Sequence, residues 1–540
     1  MGSGGRPYSR CLSHCPDEWN TRKSVAAGID RRIAGGIAGL ACALAIFGIH
    51  RFWVDFRSIP ILLTCLVLVG SQALLLGRAR GAVVALLIAA ALNRYSSEFA
   101  GATVKPEHIV APLTGLLLLP DLRRLLARLD RVDLFVLAWL LWSLVPGLLN
   151  APDPGNSTRL WMMLMLAAFG YFAVALTVRT AGRAYTVFTA WLTIATGIGI
   201  WGLVTHFAYH ALDVNLGIQV NPVTFDPSIP GPFHEANLFG SAVMMAGLTG
   251  LALLALGGGP QRLAWTASLV GLLAVQVSFT RTVWIAYLGG LILIALGKVI
   301  YQPRRRVLPQ PAGITAFGGV FALAILGTVA LWVPFSNTPQ PPQGVAFSTP
   351  TPLPPGAPTP TPAPTQTFLQ RGTPVAEHNW TPAVREADIA GRVGSIASTN
   401  DSSVRLRLEF IRIALRDWRE HPLVGLGIGS FGQEYINSSN ERAWLTMFAV
   451  RILHDGGVVG VLLFGTALAL LLVRVVGLLR ARSGGRVERI ALAMAVGIAA
   501  MFVAFLATEG LQLAWYWCSL GLFAALVRIA AQPRPAPGHA

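Results

Sequence analysis

Residues 456–473 read "GGVVGVLLFGTALALLLV", an unbroken stretch without a charged side chain or a proline, closed by Arg474. As a helix such a run crosses about 30 Å of hydrocarbon, and in lipid only a helix or a closed barrel satisfies its own backbone. Comparable runs fall at 33–49, 59–77, 81–95, 108–120, 133–150, 160–178, 184–205, 236–257, 263–279, 282–297, 312–334, 490–508 and 511–530. Across all 540 residues 54% are hydrophobic and 12% charged, and the mean hydropathy is +0.58. The sequence therefore predicts an all-α fold, a polytopic transmembrane helix bundle of about 14 spans.

The formal charge of +17 is spread in short arginine clusters between apolar runs, with no basic domain carrying interleaved aromatics. That pattern sets topology and argues against nucleic acid as a partner. With a cytoplasmic N-terminus, the inner connections receive Arg78 and Arg80, then Arg123, Arg124, Arg128 and Arg131, then Arg179 and Arg183, then Arg304 to Arg306, then Arg474 to Arg489. The outer connections are poorer in Lys and Arg, which predicts an even number of spans and no cleavable signal peptide. Five cysteines are too scattered for a disulfide framework; Cys11, His14 and Cys15 lie in a basic tail, where a metal site competes with plain disorder.

The predicted organisation is a cytoplasmic tail (1–32), an N-terminal transmembrane bundle (33–334), a large extracytoplasmic loop (335–455), C-terminal transmembrane helices (456–530) and a cytoplasmic tail (531–540). Within the loop, 338–367 is Pro/Thr-rich and too poor in apolar residues to build a core. Residues 401–432 combine a basic helix with a glycine loop. Val404, Leu408, Ile411, Leu415 and Trp418 recur at helical spacing, with Arg405, Arg412, Arg416 and Arg419 on another face, and Pro422 ends the helix. The same pattern fits a helix lying on a membrane surface. The glycine loop lacks the Lys-Ser/Thr of a P-loop and follows a helix, so it is no nucleotide fingerprint. Its small residues permit close backbone approach beside guanidiniums suited to a phosphate, which makes Gly425 and Gly427 candidate substrate-binding positions.

Four separated segments, in the expected order along the chain, resemble the O-antigen ligase and polymerase family of polytopic glycosyltransferases. "RLEFIRIALRDWREHPLVGLGIGSFG" (407–432) is similar to the family's arginine, amphipathic helix and glycine loop, with Arg407 on the arginine. "SFTRTVWIAYLGGL" (278–291) resembles its Ser-x-Ser/Thr-Arg segment, with Arg281 on a second arginine. "GPFHEANLFG" (231–240) resembles a segment entering a helix, and "LHDGGVVGVLLF" (453–464) the exit from the large loop. One departure stands out: where the family carries a His-Asn pair, this chain has Thr446 and Met447, and a histidine, His454, instead directly precedes Asp455.

The resemblance implies a glycosyltransferase of the bacterial cytoplasmic membrane with its active face extracytoplasmic. It would move a glycan from a polyprenyl-diphosphate carrier to a glycan, lipid or protein acceptor among membrane lipids, with no metal and no cofactor. Arg281 and Arg407 would clamp the diphosphate, assisted or replaced by Arg405 or Arg412. Glu235 and Asn237 would contact sugar hydroxyls, or cap a helix. His454 would supply the acceptor base from its shifted position, or the reaction would run without a histidine; Asp455 falls on the family's acidic position and either faces the imidazole or caps the re-entering helix. The rival readings are a transporter or flippase for a lipid-linked glycan and a non-catalytic assembly scaffold.

Overall fold

Ordinary helix punctuation sets the element ends. Gly77, at φ 82°, separates α1 (Ser58–Leu76) from α2 (Arg78–Ala91), and Pro106 opens α3 (Pro106–Leu118). The Asp130 carboxylate accepts from the N–H groups of Val132 and Asp133 to start α4 (Arg131–Trp142), which continues after a turn into α5 (Val145–Leu149). Asp153 caps α6 (Pro154–Thr177), and α7 (Ala181–Leu212) follows. Left-handed Gly257 ends α8 (Ala236–Leu256), which leads to α9 (Gln261–Val277) and α10 (Arg281–Ile300). Then come α11 (Ser402–Trp418), α12 (Phe448–Ala481), α13 (Arg486–Ala504) and α14 (Ala514–Ala530). Two short antiparallel ladders, Ser97–Phe99 with Ala102–Val104 and Gln219–Val220 with Pro227–Ser228, are the strands among the described residues.

This computed structural model describes residues 58–95, 97–99, 102–212, 214–220, 227–278, 280–300, 402–431 and 445–532. The runs predicted at 33–49 and 312–334, the basic tail with Cys11, His14 and Cys15, the Pro/Thr-rich 338–367 and residues 533–540 lie outside the described residues. Among the described residues six helical stretches are long and apolar enough to cross a membrane: Arg131–Leu149, Pro154–Thr177, Ala181–Leu212, Ala236–Leu256, Phe448–Ala481 and Arg486–Ala504. The expected helical fold, with several helices of membrane-crossing length and composition, is what the chain adopts.

Helix α8 is the central pole: 94% of its apolar window is buried inside the protein, against 22% for α12, which leaves the second free to face lipid. Small residues let α8 and α9 approach closely. A Cβ on Gly271 would meet Gly247 Cα at 2.6 Å and Val243 O at 2.8 Å, so a larger side chain there would force the two backbones apart.

Charge fixes one end of the bundle. Asp130 accepts from Arg474 (2.8 Å) and Arg528 (2.7 Å), Arg528 also binds Asp133 (2.7 Å), and the Tyr171 hydroxyl donates to Asp133 (2.9 Å). The start of α4 and the ends of α12 and α14 meet there. The other end gathers the starts of α8, α12 and α14, with the Tyr516 hydroxyl donating to Leu238 O at 2.6 Å.

Candidate functional site

The basic helix α11 stops where Pro422 removes a backbone donor, and the Trp418 indole N–H closes the turn on Pro422 O at 3.0 Å. The chain then runs through Gly425, Gly427 and Gly429 at φ 84°, 91° and 79°, conformations that L side chains rarely adopt. This loop docks into a break in α12. Gly457, at φ 61° and ψ −166°, interrupts that helix after its first turns.

Loop and break fit each other through backbone bonds in both directions. Leu426 N–H donates to His454 O (2.9 Å) and Gly427 N–H to Asp455 O (2.9 Å). In return Val458 N–H donates to Pro422 O (3.0 Å) and Val459 N–H to Leu423 O (3.2 Å). The connection between α4 and α6 braces the clasp, because Asn150 donates to Gly425 O (2.7 Å) and the Trp142 indole to Gly456 O (2.8 Å). A broken helix exposes carbonyls and N–H groups that lipid cannot satisfy, and the glycine loop satisfies them.

This arrangement corrects the reading of Gly425 and Gly427 as a substrate cradle. The Gly425 N–H is donated to His421 O at 2.8 Å and the next two to α12, so none of the three is turned toward a phosphate. The space a Cβ would take at Gly425 is filled by Gly457 N (2.5 Å), and at Gly427 by Gly147 Cα (2.4 Å). The close approach the glycines permit is to the protein's own helices.

Within the clasped turn lies a chain of charges. Arg451 binds Asp455 (3.1 Å) and Glu509 (2.7 Å), and Asp455 in turn meets His454 Nδ1 at 2.8 Å. The carboxylate therefore faces the imidazole and sits inside α12, which excludes its reading as a helix cap. Helix α12 begins at Phe448, ahead of the apolar run at 456, so Asp455 lies past its first turn. All these side chains are nine-tenths or more buried, so the ions are paired where water is scarce; breaking one pair strands a charge. Beside them is a cavity of about 30 Å³ lined by Arg451, Asp455, Glu509, Gln512 and Trp139, far smaller than a sugar needs.

Arg407, half-buried on α11, and Glu235, just before α8, join this cluster from outside. Protein mass around Glu235 pushes its carboxyl up and nearby Glu509 pushes it further, while Arg407 pulls it down. Glu235 nevertheless presents surface to solvent, so it is not sealed in the core. Asn237 is half-buried in the first turn of α8. A Cβ on Gly240 would meet Ser278 Oγ at 2.9 Å, which sets that turn beside the one leading to half-buried Arg281. Arg412 is exposed, and the side chain of Arg405 lies outside the described residues.

His454 is 2% exposed, with its ring edge-on to Phe431 at 5.6 Å. In this conformation it is an internal link of the charge chain and offers no face to an acceptor. Met447, at the position of the expected asparagine, packs in a small apolar cluster with Ala414, Leu445 and Phe431. Arg451 and Glu509 were not expected from the sequence; the readable signal was a carboxylate abutting the apolar run 490–508. Among the described residues no three His, Cys, Asp or Glu side chains are grouped as metal ligands. Comparison of the chain with protein-family models and with curated proteins finds no match.

Proposed function

We propose that the chain is a membrane glycosyltransferase of the O-antigen ligase or polymerase type, with about 14 spans and its active face outside the cytoplasm. It moves a glycan from a polyprenyl diphosphate to an acceptor hydroxyl. The observation that carries this reading is the meeting of Arg407, Glu235 and the Arg451–Glu509–Asp455 network at the bundle end opposite the arginine-rich ion cluster. Arg451 is buried and paired with two carboxylates, so its work is to hold the floor of the site. Arg407 and Arg281 lie nearer the surface, where a guanidinium stays charged and takes phosphoryl oxygens in pairs. They bind the departing diphosphate, and Glu235 and Asn237 orient the sugar. The described ion pairs gather at the helix ends and not at mid-span, which favours a reaction at the rim over passage through the bundle.

The test is transfer by the full chain in proteoliposomes supplied with a polyprenyl-diphosphate-linked oligosaccharide and candidate acceptors. Arg407→Ala and Arg281→Ala are expected to lower turnover by about 10²-fold or more, with poor recovery in the lysine variants. Wild-type rates in both alanine variants overturn the assignment.

A further inference from the structure

A second polar cluster is built around His234, the chain neighbour of Glu235. Asn93, 1% exposed at the end of α2, directs its amide Nδ2 to a Glu107 carboxylate oxygen. Its Oδ1 takes Lys105 Nζ at 3.4 Å and faces His234 Nδ1 at 2.8 Å. The lysine settles which way the amide points, because an ammonium has only donors and its neighbour must be the oxygen. That orientation dictates the histidine as well: a nitrogen facing Oδ1 must carry the proton, so the neutral ring has its lone pair on Nε2.

The segment bearing His234 is anchored. Arg94 N–H donates to Pro232 O (2.8 Å), Arg94 Nη1 to Gly217 O (2.7 Å), and Phe233 is fully buried beside it. His234 itself presents more than a third of its surface to solvent, in contrast to His454. It is the chain neighbour of Glu235, and both are exposed.

We infer that His234 is the general base for the acceptor hydroxyl and that Asn93 is the positioning residue that fixes its tautomer. The inference rests on the glycan-transfer reading above. The acceptor oxygen forms a bond to the anomeric carbon as the bond from that carbon to the diphosphate oxygen breaks. The diphosphate leaves with the bonding pair, and the hydroxyl proton passes to His234 Nε2 and then to water. Desolvation, aided by the charge of Lys105, holds the imidazole below its usual range and so unprotonated at neutral pH. The other charged groups around it among the described residues are Glu107, across Asn93, Glu235, its neighbour in the chain, and Arg94, bonded to the backbone at Gly231 and Pro232.

The experiment uses the full chain in nanodiscs with a polyprenyl-diphosphate-linked oligosaccharide donor and its acceptor, comparing His234→Gln, Lys105→Met and Arg407→Ala. His234→Gln is expected to lower kcat by about 10²–10⁴-fold while donor binding persists, which also shows that the variant folds. Lys105→Met should move the acidic limb of the pH profile upward, since a cation that depresses the imidazole is gone. Selective ¹⁵N-histidine NMR should place the unprotonated ring nitrogen of His234 at Nε2 in the wild type, and Asn93→Leu should erase that preference. An active wild type with Arg407→Ala dead and His234→Gln within about threefold of normal overturns this inference alone. A wild type that transfers nothing overturns the glycan-transfer reading and this inference with it.

Discussion

Replacing Gly457 by alanine tests the clasp between the glycine loop and the broken helix. Its backbone, at φ 61° and ψ −166°, lies in a region open essentially to glycine, where another residue costs about 1–3 kcal/mol. The added Cβ would also stand 2.3 Å from Leu423 O and 2.7 Å from Gly425 N. These are backbone atoms, so no rotamer relieves the overlap. Displacing the loop by the required ångström stretches the bonds of Leu426, Gly427, Val458 and Val459 beyond hydrogen-bonding range. At about 0.5–1.5 kcal/mol each, losing the four costs about 2–6 kcal/mol. Hydrogen exchange by mass spectrometry on the full chain in nanodiscs should then show protection at 422–427 and 454–459 falling by at least about tenfold, since 1.4 kcal/mol is a decade. Gly465→Ala is the control: nothing lies within 4 Å of its Cβ, and it should be neutral or stabilising by up to about 1 kcal/mol. Wild-type protection in Gly457→Ala would refute the clasp.

Asp455→Asn leaves Arg451 buried with one carboxylate in place of two, and should cost about 3–5 kcal/mol less whatever Glu509 recovers; an unchanged Tm counts against the network. At the opposite end, burial would raise the Asp130 carboxyl, but the Arg474 hydrogen bond and the Arg528 charge outweigh it and hold it below its ordinary 3.8. Its contribution is thus present above that value and lost as pH falls through the lower folded value, so Asp130→Asn should flatten the acid side of a Tm–pH curve. Glu235 has the opposite sign. Its folded value is raised, so its contribution is present below 4.5 and lost as pH rises through the folded value; Glu235→Gln should match or exceed wild-type Tm at neutral pH, and a clear loss there would contradict the assigned surroundings.

The helices were legible because each rests on a local pattern: long apolar runs, Asp130 and Asp153 before their helices, Pro422 after another. What the sequence hid is pairing across distance. "GLGIG" and "HDGG" each read as a glycine-rich turn, and nothing in either announces that one fills the other. Arg451 taken alone resembles an interfacial anchor, and Glu509 a residue at a span end; only the fold makes them an ion pair. His234 and Asn93 stand 141 positions apart, so no motif could tie the histidine to the amide that sets its tautomer. Conversely, the motif position of Gly425 and Gly427 was readable and its purpose was not, because close approach to a ligand and close approach to a helix leave the same mark in sequence.

The interruption at Gly457 gives α12 a joint. Its first turns, carrying Arg451, His454 and Asp455, accept two bonds from the loop that follows α11, and Val458 and Val459 beyond the joint donate two back. The loop therefore splints the joint from both sides and ties α11 to both halves of the broken helix. Arg451, on the near side of the joint, is paired in turn with Glu509 in the segment that follows α13. A push on α11 would therefore reach the buried Arg451–Glu509 pair through backbone bonds alone.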